Sequence, residues 1–284
     1  MGMMDRKLSV MMPAYNEERT LGVILRHVLA RAEVSQVIAI DDGSTDGTHA
    51  VMERLARSDP RLTVLRQPVN RGKGAALRLA IQHLQAPFAL VQDADLEYDP
   101  RDYPHLLEPL VAGRADAVNG VRRFGAHTAY SYWFVKGNHW LTTCANMLFN
   151  CYVTDLLSGY KVMRSELWRR LGLRSAGFEI ETEIVARVVR LGYRVHEVPI
   201  TYVTRTRQEG KKIRVGDGRR ILAMLLAVRL TRLSRLFSAD DLDYHRSRHD
   251  ALAQSPPPGF ELTPSPALDL SPPPADPGAG AAPR

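Results

Sequence analysis

Short apolar runs alternate with helical patterns along the first 120 residues of the chain. Between these runs, apolar side chains recur every three or four positions at residues 21–29 and 76–84, which predicts amphipathic helices. Because the runs and the helical segments alternate with short connections, the pattern predicts an α/β fold. We expect a mostly parallel, Rossmann-like central sheet with helices on both faces. The four runs of strand length are residues 8–12, 36–40, 62–65 and 88–91.

The middle of the chain has a different pattern. Residues 130–153 are aromatic and apolar but are interrupted by Lys136, Asn138 and His139. This composition fits either a buried helix or one that lies on a lipid surface. The elements expected after it are a helix at 179–191, a strand at 194–198 and a basic segment at 205–220.

A final helix is expected at 221–237, with leucine and arginine on different faces. Its apolar stripe consists of Leu222, Leu226, Leu230, Leu233 and Phe237, and its basic face of Arg229, Arg232 and Arg235. Such a helix suits an anionic membrane surface, or a contact between two copies of the chain. We therefore expect peripheral attachment to the inner face of the cytoplasmic membrane, with a homo-oligomer as the alternative.

Charge and length narrow the class of protein. The net charge of +7 over 284 residues indicates an anionic partner, which is phosphate, a membrane surface or nucleic acid. Nucleic acid is disfavoured because the sequence has no motif that reads it and places acidic clusters where the groove would be. The chain has no run of about 18 apolar residues and starts without a basic and apolar leader, so we expect a cytosolic protein without a spanning helix.

Composition divides the chain into three parts. Residues 1–215 carry the alternating pattern, residues 216–253 are a basic helical appendage, and residues 254–284 are rich in proline. The last part has too few apolar side chains to offset the entropy of ordering, so we expect it to be disordered.

An acidic segment at residues 92–97 follows the fourth apolar run. Its members Asp93, Asp95 and Glu97 are two residues apart, so an extended backbone would project them to the same side. Crowded carboxylates repel one another unless a cation lies among them, and oxygen ligands favour Mg²⁺ or Mn²⁺. For this motif alone, a solvated acidic turn is the simpler alternative.

Three further polar segments are expected at the same edge of the sheet, where ligands bind in folds of this type. Tyr15 follows the first run and offers an aromatic face to a nucleotide base. Asp41 and Asp42 end the second run, and one of these carboxylates must face the crevice, where it suits a base N–H or a ribose hydroxyl. Lys73 opens a helix that can receive an anion. Its segment lacks the spacing of a phosphate-cleaving P-loop.

Together these segments resemble the inverting family 2 glycosyltransferases, and among them the polyprenyl-phosphate (dolichyl-phosphate) mannose and glucose synthases. The likeness runs from about Leu8 to Ile221 through nine blocks in order, namely PAYNEE, IDDGSTDGT, NRGKGAALRLA, QDADLEYDP, NGVRR, TDLLSGYKVMR, GFEIETEI, EVPITY and RTRQEGKKI. The resemblance implies a GT-A fold, a nucleotide diphosphate sugar as donor, a divalent cation and a polyprenyl phosphate as acceptor.

The resemblance also assigns residues to these partners. Mg²⁺ or Mn²⁺ is expected at Asp95 and Glu97, with Asp93 beside them. The residues expected to hold the donor are Pro13, Tyr15, Asn16, Glu17, Ile40, Asp42, Lys73, Asp93 and Ala94. The cations expected to meet the donor phosphates or the acceptor phosphate are Arg122, Arg205 and Lys211.

The kind of acceptor determines whether the reaction requires a base. For a hydroxyl acceptor, Asp155 is our candidate base. A lipid phosphate is already anionic, so Asp155 would then mainly orient neighbouring groups. The chain departs from the mannose synthases at Glu97, where they have Gln, and at Thr154, where they have Arg. The alternatives to polyprenyl phosphate are a saccharide, small-molecule or protein hydroxyl, and a regulator that binds a nucleotide sugar without catalysis.

Overall fold

The computed structural model of the chain describes residues 7–122, 132–203 and 217–254. Its centre is a seven-stranded sheet with the strand order β3-β2-β1-β4-β6-β5-β7. Strand β6 pairs antiparallel with β4 and β5, and the other neighbouring strands are parallel. The strands are β1 (Leu8–Ala14), β2 (Val34–Asp41), β3 (Leu62–Arg66), β4 (Phe88–Val91), β5 (Ala117–Arg122), β6 (Lys161–Arg164) and β7 (Val195–Ile200).

Helices cover both faces of this sheet, which confirms the predicted α/β architecture. Val10 and Met12 of β1 belong to the apolar core between the sheet and helices α1, α2 and α4. Met11 belongs to the core on the other face, which is covered by α3 and by α5 to α9. The helices are α1 (Glu18–Leu29), α2 (Thr48–Ala56), α3 (Lys73–Ile81), α4 (Tyr103–Val111), α5 (Tyr132–Phe149), α6 (Ser165–Arg170), α7 (Ile180–Arg190), α8 (Asp217–Leu230), α9 (Leu233–Leu236) and α10 (Ala239–Gln254).

The apolar pattern did not reveal β5 and β6. Both strands carry polar side chains that are buried, namely Asn119 and Arg122 on β5 and Lys161 on β6. Since β5 continues the parallel order of β4 across the antiparallel β6, Arg122 lies at the same edge of the sheet as the ends of β1, β2 and β4. Lys161 begins β6 at that edge as well.

The apolar stripe predicted for the helix at 221–237 is wrong. Helix α8 ends at Leu230, and its buried face consists of Ile221, Leu225 and Val228. The face of α8 that packs on α5 and α7 leaves Leu226 and Leu230 exposed. Within the described ranges, every helix is too short or too polar to cross a bilayer. The division into three domains remains a prediction, and the proline-rich tail lies outside the described residues.

Candidate active site

The edge of the sheet where β1, β2, β4 and β5 end opens into a cavity of about 560 Å³. Most of the residues that the sequence assigned to the donor, the cation or the transfer line this cavity. They are Pro13, Tyr15, Glu17, Asp42, Lys73, Asp93, Ala94, Asp95, Glu97 and Arg122. The sequence analysis assigned no role to several other lining residues, among them Tyr98, Phe134, Leu157, Phe178 and Tyr202. It ranked Glu181, which also lines the cavity, only as a possible sugar contact. Arg205 and Lys211 lie outside the described residues.

Asn16 joins the loops after β1 and β2 and is absent from the cavity lining. Its φ of 53° places it in the left-handed region, which asparagine tolerates better than most residues. Its side-chain oxygen accepts a hydrogen bond from the backbone N–H of Thr45 at 2.9 Å, and its own N–H donates to the Ser44 hydroxyl at 3.0 Å. Asn16 therefore has a structural role between the two loops, and its assignment to donor binding stays a prediction.

The two adjacent aspartates at the end of β2 point to different sides. Asp41 lies 3.1 Å from the Arg66 guanidinium, away from the cavity. Asp42 lines the cavity and accepts hydrogen bonds from the backbone N–H groups of Arg71 and Gly72, both at 2.8 Å. Burial raises the pKa of Asp42, and these two hydrogen bonds partly offset the rise. Asp42 thus borders the cavity while holding the loop that leads into α3.

Ile40, in the same strand, is completely buried in the core beneath α3. Its side chain is removed from the cavity because successive residues of β2 face opposite sides of the sheet. A contact between Ile40 and the nucleotide would therefore have to come from its backbone, and the assignment of Ile40 to the donor stays a prediction.

Lys73 lies between two carboxylates at the start of α3. Its ammonium donates a hydrogen bond to Asp93 at 2.5 Å and another to Glu181 of α7. Burial alone would lower the pKa of Lys73, but the two carboxylates outweigh burial and raise it. Lys73 therefore stays charged and fixes the position of Asp93 in the cavity wall.

Glu181 is a site residue whose importance the sequence analysis underestimated. It lines the cavity from the first turn of α7, and burial raises the pKa of its carboxyl group, while Lys73 opposes the rise. Its position in the block GFEIETEI was the signal for it. Acidic residues are favoured in the first turn of any helix, so the block alone did not separate a functional carboxylate from a structural one.

The acidic segment after β4 forms a turn and is not extended. Leu96 has a φ of 63°, which reverses the backbone between Asp95 and Glu97. The Asp95 carboxylate accepts the N–H of Glu97 at 3.2 Å, and Glu97 accepts the hydroxyl of Tyr202 at 2.6 Å. All three carboxylates of the segment still line the cavity.

The predicted metal cluster of three carboxylates is corrected to a smaller one. Among the described residues, no three His, Cys, Asp or Glu side chains are grouped so that they could hold a metal ion by themselves. Asp93 is engaged by Lys73. Asp95 and Glu97 still fit a divalent cation, because Mg²⁺ is usually held by one or two carboxylates, with phosphate oxygens and water completing its shell.

Asp155 holds Arg122 and is not exposed to substrate. Its carboxylate is completely buried and accepts two parallel hydrogen bonds from the Arg122 guanidinium, each at 2.7 Å. Asn138 donates a further hydrogen bond to it at 2.9 Å. Burial alone would raise the pKa of Asp155, but Arg122 and these hydrogen bonds lower it. The prediction that Asp155 is a base is therefore corrected, because a buried carboxylate with a lowered pKa is a poor proton acceptor.

A buried polar network lies beneath this pair. The Lys161 ammonium donates to the side-chain oxygen of Asn119 at 2.8 Å, and Asn119 donates to the backbone oxygen of Asp155 at 2.9 Å. Glu197 of β7 accepts hydrogen bonds from Asn119 at 3.1 Å and from the Thr154 hydroxyl at 2.7 Å. The network fixes the segment that carries Asp155, and Thr154 is part of it.

A nucleotide-sized cavity with acidic residues at the ends of parallel strands is the layout of a GT-A glycosyltransferase. The chain belongs to glycosyl transferase family 2, which matches residues 9–172, more than half of its length.

Relatives and solved structures extend this comparison. Glycosyltransferase AglJ of Haloferax volcanii is 33% identical over 201 residues, which cover 69% of this chain and 63% of the AglJ sequence. The chain thus matches less than two thirds of that relative. Undecaprenyl-phosphate mannosyltransferase of Micrococcus luteus is 29% identical, with 72% and 87% of the two chains covered. Glucosyl-3-phosphoglycerate synthase of Mycobacterium tuberculosis, crystallised with Mn²⁺, UDP and glucosyl-3-phosphoglycerate, has a TM-score of 0.60 and 25% identity, with 78% and 80% covered.

Proposed function

We propose that this protein transfers a hexose from a nucleotide diphosphate sugar to a polyprenyl phosphate, with inversion at the anomeric carbon. The observation that carries the proposal is the burial of Asp155 behind Arg122. Asp155, the candidate base for a hydroxyl acceptor, is instead bound to the Arg122 guanidinium. A relative that is named undecaprenyl-phosphate mannosyltransferase supports the same acceptor.

The side chains around the cavity account for donor binding. Tyr15 offers a ring on which a base can stack, and Asp42 offers carboxylate oxygens to base or ribose. Arg122 borders the space for the phosphates, and its guanidinium also lies 5.2 Å from the ring centre of Tyr202. These contacts hold the guanidinium in one orientation before substrate arrives, which lowers the cost of stabilising charge during transfer.

Asp95 and Glu97 are the residues that would hold the divalent cation. A divalent cation held by these two carboxylates would supply positive charge to stabilise the leaving diphosphate. Asp93, fixed by Lys73, would then border the ribose and the diphosphate. Crystal structures of glucosyl-3-phosphoglycerate synthase with Mn²⁺ and UDP support a divalent cation in this fold.

In the reaction, an oxygen of the acceptor phosphate forms a bond to C1 of the hexose. The bond from C1 to the diphosphate oxygen breaks, and its electron pair leaves with the nucleoside diphosphate. No proton has to be removed from the acceptor, because a phosphate monoester is anionic near neutral pH. The task of the protein is to align the two phosphate groups on opposite sides of C1 and to stabilise their charge.

A polyprenyl acceptor places the enzyme at a membrane. We infer that the chain acts as a peripheral protein on the inner face of the cytoplasmic membrane, where nucleotide sugars are available. The five arginines from Arg219 to Arg235 support attachment to anionic lipid.

The proposal is tested by incubating the purified chain with UDP-, GDP- and dTDP-sugars and either a short-chain polyprenyl phosphate or the polyprenol of equal length. We expect mass spectrometry to detect a hexosyl phosphate only with the phosphate acceptor. A chelator should abolish the product, and Mn²⁺ or Mg²⁺ should restore it. Transfer to the polyprenol hydroxyl, or no metal-linked affinity for any donor, would overturn the proposal. The latter result would leave a non-catalytic binding protein.

Transfer to a hydroxyl is the second candidate, and the placement of Glu181 favours it. This carboxyl group lines the cavity and has a raised pKa, as a general base requires. Glu181→Gln separates the two candidates. With a hydroxyl acceptor, we expect kcat to fall by roughly 10²-fold or more, whereas transfer to a phosphate should lose much less.

A further inference from the structure

Helix α5 exposes a stripe of large apolar side chains that the active site does not use. Trp133, Trp140 and Met147 are seven residues apart, which is two helical turns, so they lie along one line of the helix. Their exposed fractions are 79%, 55% and 79%. The opposite side of α5 is buried through Leu141 and Ala145. We call the three exposed side chains the α5 stripe.

Helix α8, which neighbours α5, also exposes apolar side chains. The two helices pack against each other, and Arg229 donates a hydrogen bond to the backbone oxygen of Leu148, next to Met147 in the chain. Leu226 and Leu230 of α8 are exposed as well. Large apolar side chains exposed on two helices that pack together favour an interaction site over the singly exposed apolar residues of a typical monomer.

The charge around the stripe identifies the partner. The sequence has no Asp or Glu between residues 132 and 154 or between residues 218 and 237. The second segment carries five arginines, of which Arg232 and Arg235 are exposed on α9 and its approach. A second copy of the chain would bring two surfaces of like charge together, which is unfavourable. An anionic surface complements them.

We propose that α5 lies in the headgroup layer of an anionic bilayer, with the α5 stripe inserted and the α8 and α9 arginines on lipid phosphates. Tryptophan is enriched at this depth of a membrane because its ring is apolar and its N–H is polar. The inference rests on the proposed function, since a lipid acceptor requires such contact. Phe134, beside Trp133, lines the cavity, so the lipid surface would lie next to the site of transfer.

The three tryptophans of the chain provide a direct test. Trp168 is buried in the core, while Trp133 and Trp140 are on the stripe. Adding phosphatidylglycerol vesicles in low salt should shift tryptophan emission to shorter wavelength and sediment the protein. Vesicles of phosphatidylcholine alone should do so more weakly. The double variant Trp133→Ala, Trp140→Ala should bind these vesicles at least about tenfold more weakly than the native chain.

Charge is tested separately from the apolar stripe. Arg232→Gln with Arg235→Gln should weaken vesicle binding and reduce its dependence on salt. The matched control is Arg54→Gln with Arg57→Gln, which removes two exposed arginines from the region of α2 and should leave binding unchanged. Equal loss in both pairs would show that only net charge matters and would overturn the assignment of this surface.

Two further outcomes would overturn the inference without affecting the proposed function. One is unchanged vesicle binding by the tryptophan variant. The other is self-association in sedimentation velocity that the same variant abolishes, which would assign the stripe to a second copy. In both cases transfer to a water-soluble short-chain polyprenyl phosphate would still support the function. Vesicle binding without transfer to any phosphate acceptor would instead remove the function and keep the membrane surface.

Discussion

Replacing Lys161 by methionine tests how a buried charge beneath the site affects folding. Lys161 begins β6, is 2% exposed, and donates to Asn119 at 2.8 Å and to the backbone oxygen of Ser158 at 2.6 Å. Burial lowers the pKa of its ammonium group from 10.5 to about 8. Methionine has a similar length and an apolar end, so it removes the charge with little change in volume.

The lowered pKa of Lys161 has a calculable effect on stability. Each pKa unit is worth about 1.4 kcal/mol, so the change from 10.5 to about 8 amounts to about 3 kcal/mol of folding free energy. Below pH 8 the lysine is charged in both the folded and the unfolded chain, and the full cost applies. Between pH 8 and 10.5 the unfolded chain holds a proton that the folded chain has released. Stability therefore rises with pH over this interval.

The assay compares the free energy of unfolding of the native chain and of Lys161→Met in urea, from about pH 7 to pH 10.5. Other lysines and tyrosines titrate in both proteins and cancel in the difference. We expect the stability of the native chain relative to the variant to rise by about 3 kcal/mol across the interval. Loss of the hydrogen bonds to Asn119 and Ser158 adds an offset that does not follow the lysine titration.

The exposed Lys136 of α5 provides the matched control, since Lys136→Met shows what loss of a solvated lysine does over the same pH range. A native-minus-variant difference that stays flat with pH for Lys161→Met would refute the argument. It would mean that the buried ammonium is solvated or paired more strongly than its two hydrogen bonds indicate.

Three other substitutions test the contacts around the cavity. Gly159→Ala would place a Cβ 2.6 Å from the Asp93 carboxylate, which lines the cavity. The KM for the donor should therefore rise about tenfold, which corresponds to ~1.4 kcal/mol. The kinetic control is Gly137→Ala, whose Cβ meets nothing within 4 Å. Lys73→Met should lower the free energy of unfolding at neutral pH by about 3 kcal/mol. That deficit should shrink towards pH 5 as Glu181, whose pKa burial raises, takes up a proton. An equal deficit in urea at both pH values would argue against the shared cation. In Arg122→Lys, the lysine cannot form the two parallel hydrogen bonds that Arg122 donates to Asp155. We therefore expect kcat/KM to fall about 100-fold, which corresponds to ~2.7 kcal/mol. A kcat/KM within about threefold of the native value would contradict the role of Arg122 in stabilising charge during transfer.

The sequence pattern predicted the parallel half of the sheet and missed the strands beside it. Strands β1, β2 and β4 are covered on both faces, so they read as continuous apolar runs. Strands β5 and β6 contain Asn119, Arg122 and Lys161, which look like surface residues in a linear pattern. These polar groups are satisfied by one another across neighbouring strands, and such pairing cannot be read from spacing along the chain.

The sequence predicted which residues line the candidate site better than it predicted what each of them does there. The strand-end motifs correctly indicated which segments meet, because parallel strands bring their carboxyl ends to one edge. The sequence could not show that Lys73 would be shared by Asp93 and Glu181, since Glu181 lies 108 residues further along the chain. The contacts of individual side chains with donor and cation remain predictions.

The Arg122–Asp155 pair also determines what the pH dependence of transfer can reveal. Burial opposes both charges, yet the pKa of Asp155 is lowered and that of Arg122 is raised, so the pair stays ionised through the physiological range. An acidic limb in kcat/KM would then report the acceptor phosphate, whose second pKa is about 6. Replacing that acceptor by a phosphonate of higher pKa should move the limb upward by the same difference. A limb that stays in place would instead belong to a group of the protein, with Glu181 as the first candidate because burial raises the pKa of its carboxyl group. Changing the acceptor in this way therefore shows whether the acidic limb comes from ionisation of the acceptor phosphate or of a group of the protein.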